Sequence, residues 1–349
     1  MTTSAPATSI LASRANDVAI APRRALHRFA CIHVLATFVL LIAGARVTSN
    51  DAGISVVDWP SSLGFFNPIA VHLRGLMHGL VAVEHGHREI AMVVGLLTIV
   101  EAIWLWRTGE RTLRTLGVLL LIGVLVQGGL GGLTVKMKLP PAVSIAHGML
   151  AQSFFCLSIA TAALLAPRGA TAALLAPRAS GSTTSRPGST GASSAGLEQT
   201  GARATFLALR RASVVTTAIV FGQLFLGAFV RHTVAKWRVP TFADLPVVVH
   251  AAFAAAVLVS IGMLVARSVA TASLERAITR PALALGGLVV AQAILGVLAV
   301  ATRTDPLITV LHVVIGAAIL GTCVMLAVRS GRLAAAAADV ARPPTEARR

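Results

Sequence analysis

Four histidines stand at matched positions in the apolar stretches of this chain: His87, His147, His250 and His312. The first arginine beyond each stretch follows after 20 and 21 residues for the first two, and after 17 residues for the last two. At about 1.5 Å per helical residue, the members of each pair lie at the same depth. Two facing imidazoles in a helix bundle are the ligand set of a bis-histidine heme, so the spacing predicts two such sites.

Zinc is the less favoured metal, because the chain has no H-E-x-x-H motif and no third ligand at suitable spacing beside these pairs. A single histidine in a helix bundle is more often a neutral side chain that hydrogen-bonds a neighbouring helix. Four histidines at paired depths favour iron ligation, since ionisable groups in a membrane are costly and usually functional.

The stretch from Glu84 to Arg88 adds a carboxylate to the first site. Residues three and four apart share a helix face, so Glu84, His87 and Arg88 point one way and His85 points another. Glu84 is placed to take a proton from water or to stabilise a developing positive charge. The alternative is a carboxylate favoured by the dipole at a helix N-terminus.

Other polar side chains lie at the same end of the helices as the four histidines. Arg46, Arg88 and Arg231 are candidates for charge-assisted hydrogen bonds to heme propionates, with interfacial snorkelling as the open alternative. Three further histidines are interpreted as side chains without a role: His33 and His72 as interfacial or isolated, and His85 as a bystander at the interface.

The elements that must position these residues are membrane helices. Hydrophobic residues make up 56% of the 349 residues, charged residues only 12%, and the mean hydropathy is +0.81. Continuous apolar runs long enough to cross a bilayer exclude a β-barrel and predict an all-α polytopic membrane protein. Eight spans are predicted, at 29–48, 76–106, 113–135, 141–166, 206–230, 245–267, 281–302 and 306–328.

The net charge of +17 reflects topology. With both termini cytoplasmic, 21 of the 30 basic residues fall on the inner side, which is the positive-inside bias. The charge therefore indicates no nucleic-acid partner, and the expected location is the cytoplasmic (inner) membrane of a bacterium, with the histidine sites near its outer face. The three cysteines form no C-x-x-C-H motif, so a covalent c-type heme is excluded.

The two halves of the chain repeat. Gln127 and Gln292 each begin a Q-x-x-L-G-x-L-x-V stretch, and each precedes its histidine by 20 residues. This self-similarity predicts eight transmembrane helices arranged as two pseudosymmetric four-helix bundles. The expected divisions are a tail at 1–27, a first bundle at 28–166, a flexible linker at 167–204, a second bundle at 205–328 and a tail at 329–349.

Several motifs together resemble the heme A synthase family: Glu84-x-x-His87-Arg88, the Q-G-G-L-G-G-L-T-V stretch from Gln127, His147, and D-A-G-I-S-V-V-D-W-P at 51–60. The resemblance covers residues 28–328. It implies oxidation of the C8 methyl of heme O to a formyl, by successive hydroxylation and loss of water, giving heme A for cytochrome oxidase. It further implies heme b between His250 and His312, the substrate heme between His87 and His147, and a catalytic Glu84.

The chain also departs from that family. Residues 47–75 contain no cysteine, where many members have a loop pair, and no arginine follows His250. The partners expected from the resemblance are heme O, membrane lipid, heme O synthase and cytochrome oxidase assembly factors, with a homo-oligomer left open. The competing interpretation is a di-heme b-type electron-transfer protein, and the third is a transporter built on a repeat.

Overall fold

The computed structural model describes residues 7–66, 68–167, 191–271 and 276–340, which hold no β-structure beyond one isolated bridge between Ser62 and Phe65. The helices of these segments are α1 (Ala7–Ser49), α2 (Pro68–Leu73), α3 (Gly79–Arg107), α4 (Arg111–Lys136), α5 (Pro141–Leu165), α6 (Gly191–Phe229), α7 (Leu245–Ala270), α8 (Arg276–Ala301) and α9 (Pro306–Val340). A π-helical turn, Val230–Val234, continues α6 at its C-terminal end.

Eight of the described helices, all except α2, contain segments long and apolar enough to cross a membrane. The prediction of an all-α protein with eight membrane-spanning segments is therefore confirmed. Large apolar side chains stay exposed on the outer faces of these helices, as expected of surfaces that meet lipid rather than water. They include Leu35, Leu96, Leu125, Val259 and Ile294.

Helix contacts close a ring in each half of the chain. In the first half α1 contacts α3 and α5, and α4 contacts the same two helices. In the second half α6 contacts α7 and α9, and α8 contacts the same two. Each ring encloses its own cluster of buried apolar side chains. The two-fold relation between the halves stays a prediction.

The last helix joins the two halves, because α9 packs against α1 and α5 as well as against its own half. A Cβ atom at Gly321 would stand only 2.5 Å from the Ile159 side chain, so glycine permits this close approach of α9 to α5. At the same interface Arg332 donates hydrogen bonds to the carbonyl oxygens of Ala163 and Ala166 near the end of α5.

The helix ends differ from the predicted boundaries. Helix α9 continues beyond residue 328 to Val340, where Leu333 and Ala334 belong to the buried cluster of the second half and Ala337 is also buried, so much of the predicted tail is part of the bundle. Helix α6 begins at Gly191, inside the predicted flexible linker, and α1 begins at Ala7. Residues 168–190 of the linker lie outside the described residues.

Candidate functional site: two histidine pairs and a buried carboxylate

Each of the four predicted ligand histidines lays its ring against a glycine of the preceding membrane helix. The pairs are Gly44 with His87, Gly131 with His147, Gly227 with His250 and Gly296 with His312. A Cβ atom at any of these glycines would stand 3.1–3.3 Å from the imidazole Cε1 atom. The glycines therefore let the imidazoles lie close to a neighbouring backbone, and a side chain there would push the ring away.

Three of the four histidines also contact a glutamine one helical turn before that glycine. The Nε2 atoms of Gln127, Gln223 and Gln292 lie 3.3–3.5 Å from the imidazole Nε2 atoms of their histidines. The corresponding position before Gly44 is Leu40, so His87 has no such neighbour. The repeated Q-x-x-L-G pattern predicted the duplication but not this contact, since sequence alone does not show which histidine a glutamine faces.

The second pair has a separation that suits a shared metal. The ring centroids of His250 and His312 lie 6.3 Å apart, with an interplanar angle of 70°. Two imidazoles on opposite sides of one metal, with metal–nitrogen bonds of about 2 Å, would place their centroids roughly 6 Å apart. In the first half, His87 and His147 also lie close enough to interact electrostatically.

The histidines carry unsatisfied polar atoms. The Nδ1 atom of each of the four is buried and has no hydrogen-bond partner among the described residues. Buried polar atoms without partners are rare, and each calls for a bound group or a functional reason. Paired imidazoles on facing helices with unsatisfied nitrogens fit the axial ligand set of heme iron.

Glu84 is buried beside this first pair and is held by two donors. Its exposed fraction is 3%. One carboxylate oxygen accepts a hydrogen bond from the Val56 amide at 2.8 Å, and the other accepts from the Arg88 guanidinium at 2.7 Å. A carboxylate offers about four lone-pair positions, so two further acceptor positions remain. The orientation of Glu84 therefore depends on the loop that supplies Val56.

Arg88 clamps that loop, which connects α1 to α2. Its guanidinium donates to the carbonyl oxygens of Val56 at 2.7 Å, Asp58 at 2.7 Å and Ser61 at 3.0 Å, and to the Ser62 hydroxyl at 3.2 Å. A planar group with five donors suits several acceptors at once. A heme propionate would have to compete with these acceptors, and the predicted propionate contact of Arg88 stays a prediction.

The D-W-P stretch shapes the same loop. The Asp58 carboxylate accepts hydrogen bonds from the Ser61 hydroxyl and from the amides of Leu63 and Gly64. Burial alone would raise the pKa of Asp58, but these hydrogen bonds outweigh it and lower the pKa, so the group is ionised at neutral pH. The Trp59 indole lies over Gly132, where a Cβ atom would stand 2.4 Å from the ring.

The last two glycines of the Q-G-G-L-G-G stretch thus have separate partners, since Gly131 faces His147 and Gly132 faces Trp59. The two other arginines proposed for propionates have different environments. Arg231 reaches across to the first half, where its guanidinium donates to the Thr48 carbonyl and to the Asp51 carboxylate. Arg46 is exposed. Their propionate contacts also stay predictions.

His33 is neither interfacial nor isolated, because its side chain is buried and hydrogen-bonded to a neighbouring helix. His33 and Glu101 are both 0% exposed, their side chains are hydrogen-bonded to each other, and the Thr98 hydroxyl lies 3.0 Å from the second ring nitrogen of His33. The signal in the sequence was Glu101 inside an otherwise apolar run, because an acid there needs a partner within the bundle.

The interfacial position predicted for His85 is wrong, because the residue is buried. His85 is 1% exposed and lies beside His72 and Glu89, and the ligand atoms of these three residues fall within 4.8 Å of one another. The one-turn spacing from His85 to Glu89 on α3 was visible in the sequence. The approach of His72 was not, because it depends on the path of the loop.

Comparisons with known proteins identify the family of the chain. Residues 27–324 match the profile of a family described as cytochrome oxidase assembly protein. Over 153 residues the chain is 28% identical to a protein named heme A synthase from Brucella anthropi and 30% identical to one from Brucella ovis. Each alignment spans 42% of this chain and 42% of the relative. The family match extends over most of the chain and includes all four histidines, so the chain belongs to the COX15-CtaA family of cytochrome oxidase assembly proteins.

Proposed function

We propose that this protein is a heme A synthase, an oxidoreductase that converts the C8 methyl of heme O into the formyl group of heme A. The observation that carries the proposal is the buried Glu84, which lies one helical turn from His87 and is oriented by Arg88 and Val56. The relatives named heme A synthase support it. Two successive hydroxylations of the methyl, each a two-electron oxidation whose oxidant and oxygen atom come from outside the chain, give a geminal diol, which loses water to become the formyl.

The proposal assigns different tasks to the two halves. Residues 28–166 hold the substrate heme O between His87 and His147, and residues 205–328 hold a resident heme b between His250 and His312. Heme b, when bound, supplies electron transfer. The chain itself contributes axial imidazoles, the glycines that seat them, and a loop that covers Glu84.

Within the first half, Glu84 acts on protons. Its two remaining acceptor positions let it take a proton from water or from the hydroxylated carbon substituent, or stabilise positive charge that develops there. Arg88 and the Val56 amide hold the carboxylate in place for this task. Arg46, Arg88 and Arg231 are the residues proposed to pair with heme propionates at this end of the bundle.

The alternative of a di-heme electron carrier fits the four histidines equally well but not the asymmetry between the halves. The residue three positions before His250 is Val247, and the residue after His250 is Ala251. A protein that only passes electrons needs neither the carboxylate nor the arginine that clamps a loop over it. The transporter alternative predicts broken helices at mid-membrane, whereas these polar groups cluster at one end of the bundle.

The proposed location is the cytoplasmic membrane of a bacterium, with both termini inside and the histidine pairs near the outer face. The positive-inside distribution of arginine and lysine supports this orientation. Proposed partners are heme O synthase, which would supply the substrate, and cytochrome oxidase assembly factors, which would receive the product.

The test is extraction and chromatography of hemes from membranes that contain this chain together with a heme O synthase. We expect heme A to accumulate, accompanied by the alcohol formed in the first hydroxylation. The matched control is the same host with heme O synthase alone, which should hold heme O. Membranes that contain the folded chain yet accumulate only heme O would contradict the proposal.

A further inference from the structure

A group of three potential metal ligands lies outside the proposed heme sites, where the short helix α2 approaches the start of α3. His72 lies in the last turn of α2, while His85 and Glu89 lie one turn apart on α3. The His72 Nε2 atom is 2.8 Å from the Glu89 carboxylate, and the His85 Nε2 atom is 3.7 Å from the same oxygen. One carboxylate oxygen thus faces two imidazole nitrogens.

The buried ring of His85 lacks hydrogen-bond partners among the described residues. Its side chain is 2% exposed, and both ring nitrogens are buried without a hydrogen bond among the described residues. The 3.7 Å separation from Glu89 is too long for a hydrogen bond. It is close to the separation of about 3.4 Å between two ligands that bind one tetrahedral ion at about 2.1 Å each.

We propose that His72, His85 and Glu89 bind a divalent transition-metal ion, for which zinc is the best match. Two imidazoles and one carboxylate with an open fourth position form a known zinc ligand set. The side chains of His72 and Glu89 are 49% and 30% exposed, which gives an ion access from solvent, while His85 forms the buried wall. The ion would tie α2 to α3 near Glu84 and the loop clamp.

The competing explanation is a simple ion pair between His72 and Glu89, with His85 as a buried neutral side chain. That explanation accounts for the 2.8 Å contact but leaves both nitrogens of His85 unsatisfied. Loss of these hydrogen bonds is costly for a buried group, and metal ligation removes the cost for one nitrogen. The two explanations differ in whether His85 affects metal affinity.

The test uses the full-length protein without an affinity tag, purified in detergent, stripped with chelator and titrated with Zn²⁺. We expect one tightly bound Zn²⁺ per chain, and we expect His85→Asn and Glu89→Gln each to weaken binding at least about tenfold. The control His78→Asn should leave binding unchanged, because His78 is not one of the three proposed ligands and its ring lies 3.3 Å from the Gly75 carbonyl. His87→Ala should also bind Zn²⁺ normally, which separates this site from the proposed heme site.

Unchanged Zn²⁺ affinity in folded His85→Asn would overturn the proposal, as would an intact protein that retains neither Zn²⁺ nor Cu²⁺. Retention of Cu²⁺ alone, with the same dependence on His85, would support the site and identify another ion. If His85→Asn does not fold, His72→Asn replaces it, because His72 is half-exposed and its loss leaves no buried gap. The heme absorption spectrum of each variant reports folding, independently of heme A synthesis.

Discussion

Replacement of Glu84 by glutamine is expected to leave heme binding intact and to reduce heme A formation at least about a hundredfold. Positioned acid–base groups typically contribute a factor of 10²–10⁴ to the rate. Glutamine keeps the size of the side chain and can still accept one of the two hydrogen bonds from Val56 and Arg88, but it cannot take up a proton. The measurement is the heme A to heme O ratio in membranes that also contain heme O synthase.

The matched control for Glu84 is Glu110→Gln at the other end of the bundle. Glu110 is exposed and pairs with Arg23 at 2.6 Å, far in sequence from the histidine pairs. Its loss should leave the heme A yield unchanged. An unchanged yield in Glu84→Gln would remove this carboxylate from the mechanism, and loss of bound heme in that variant would assign Glu84 to heme binding.

Replacement of Arg88 by alanine is expected to release the loop from Val56 to Ser62 and to destabilise the first half by about 3 kcal/mol. The change removes the hydrogen bonds to the loop carbonyls and leaves Glu84 buried without its cation. Heme A formation should fall as well, because Glu84 loses one of its two orienting donors. The measurement is amide hydrogen exchange over residues 51–66, together with the thermal unfolding midpoint.

Arg88→Lys supplies the comparison within this experiment. Lysine retains the positive charge but cannot bridge three carbonyls and a carboxylate with a planar fork, so partial release of the loop is expected. The spectrum of the heme that we propose to lie between His250 and His312 should not change. If Arg88→Ala leaves hydrogen exchange of the loop unaltered but weakens binding of the substrate heme, the main partner of Arg88 is instead a heme propionate.

The membrane-spanning helices were predictable because each is a long run of apolar residues in the sequence. Continuous apolar runs of membrane length predicted all eight spans, and the matched depths of the four histidines placed each beside a helix end. The helix boundaries were less predictable. Helix α9 extends to Val340 through small alanine-rich segments that pack well but carry a weak hydropathy signal.

The environment of each side chain was less predictable than its helix. Helix periodicity predicts that Glu84, His87 and Arg88 share a face. It does not predict that Arg88 binds the loop, because the loop carbonyls are about 30 positions away in the sequence. The helical register places His85 on a different face from His87 but does not reveal what surrounds it. Its neighbour His72 comes from α2, whose approach depends on the loop fold rather than on any local pattern.

We propose that the first histidine pair holds the substrate and that the second holds a resident cofactor. The most direct measurement is the type of heme extracted from the purified intact chain and from its His87→Ala and His250→Ala variants, each produced with heme O synthase. We predict that His87→Ala loses heme O and heme A but keeps heme b, and that His250→Ala loses heme b. Heme b alone in the intact protein, lost equally in both variants, would contradict the claim and favour an electron carrier.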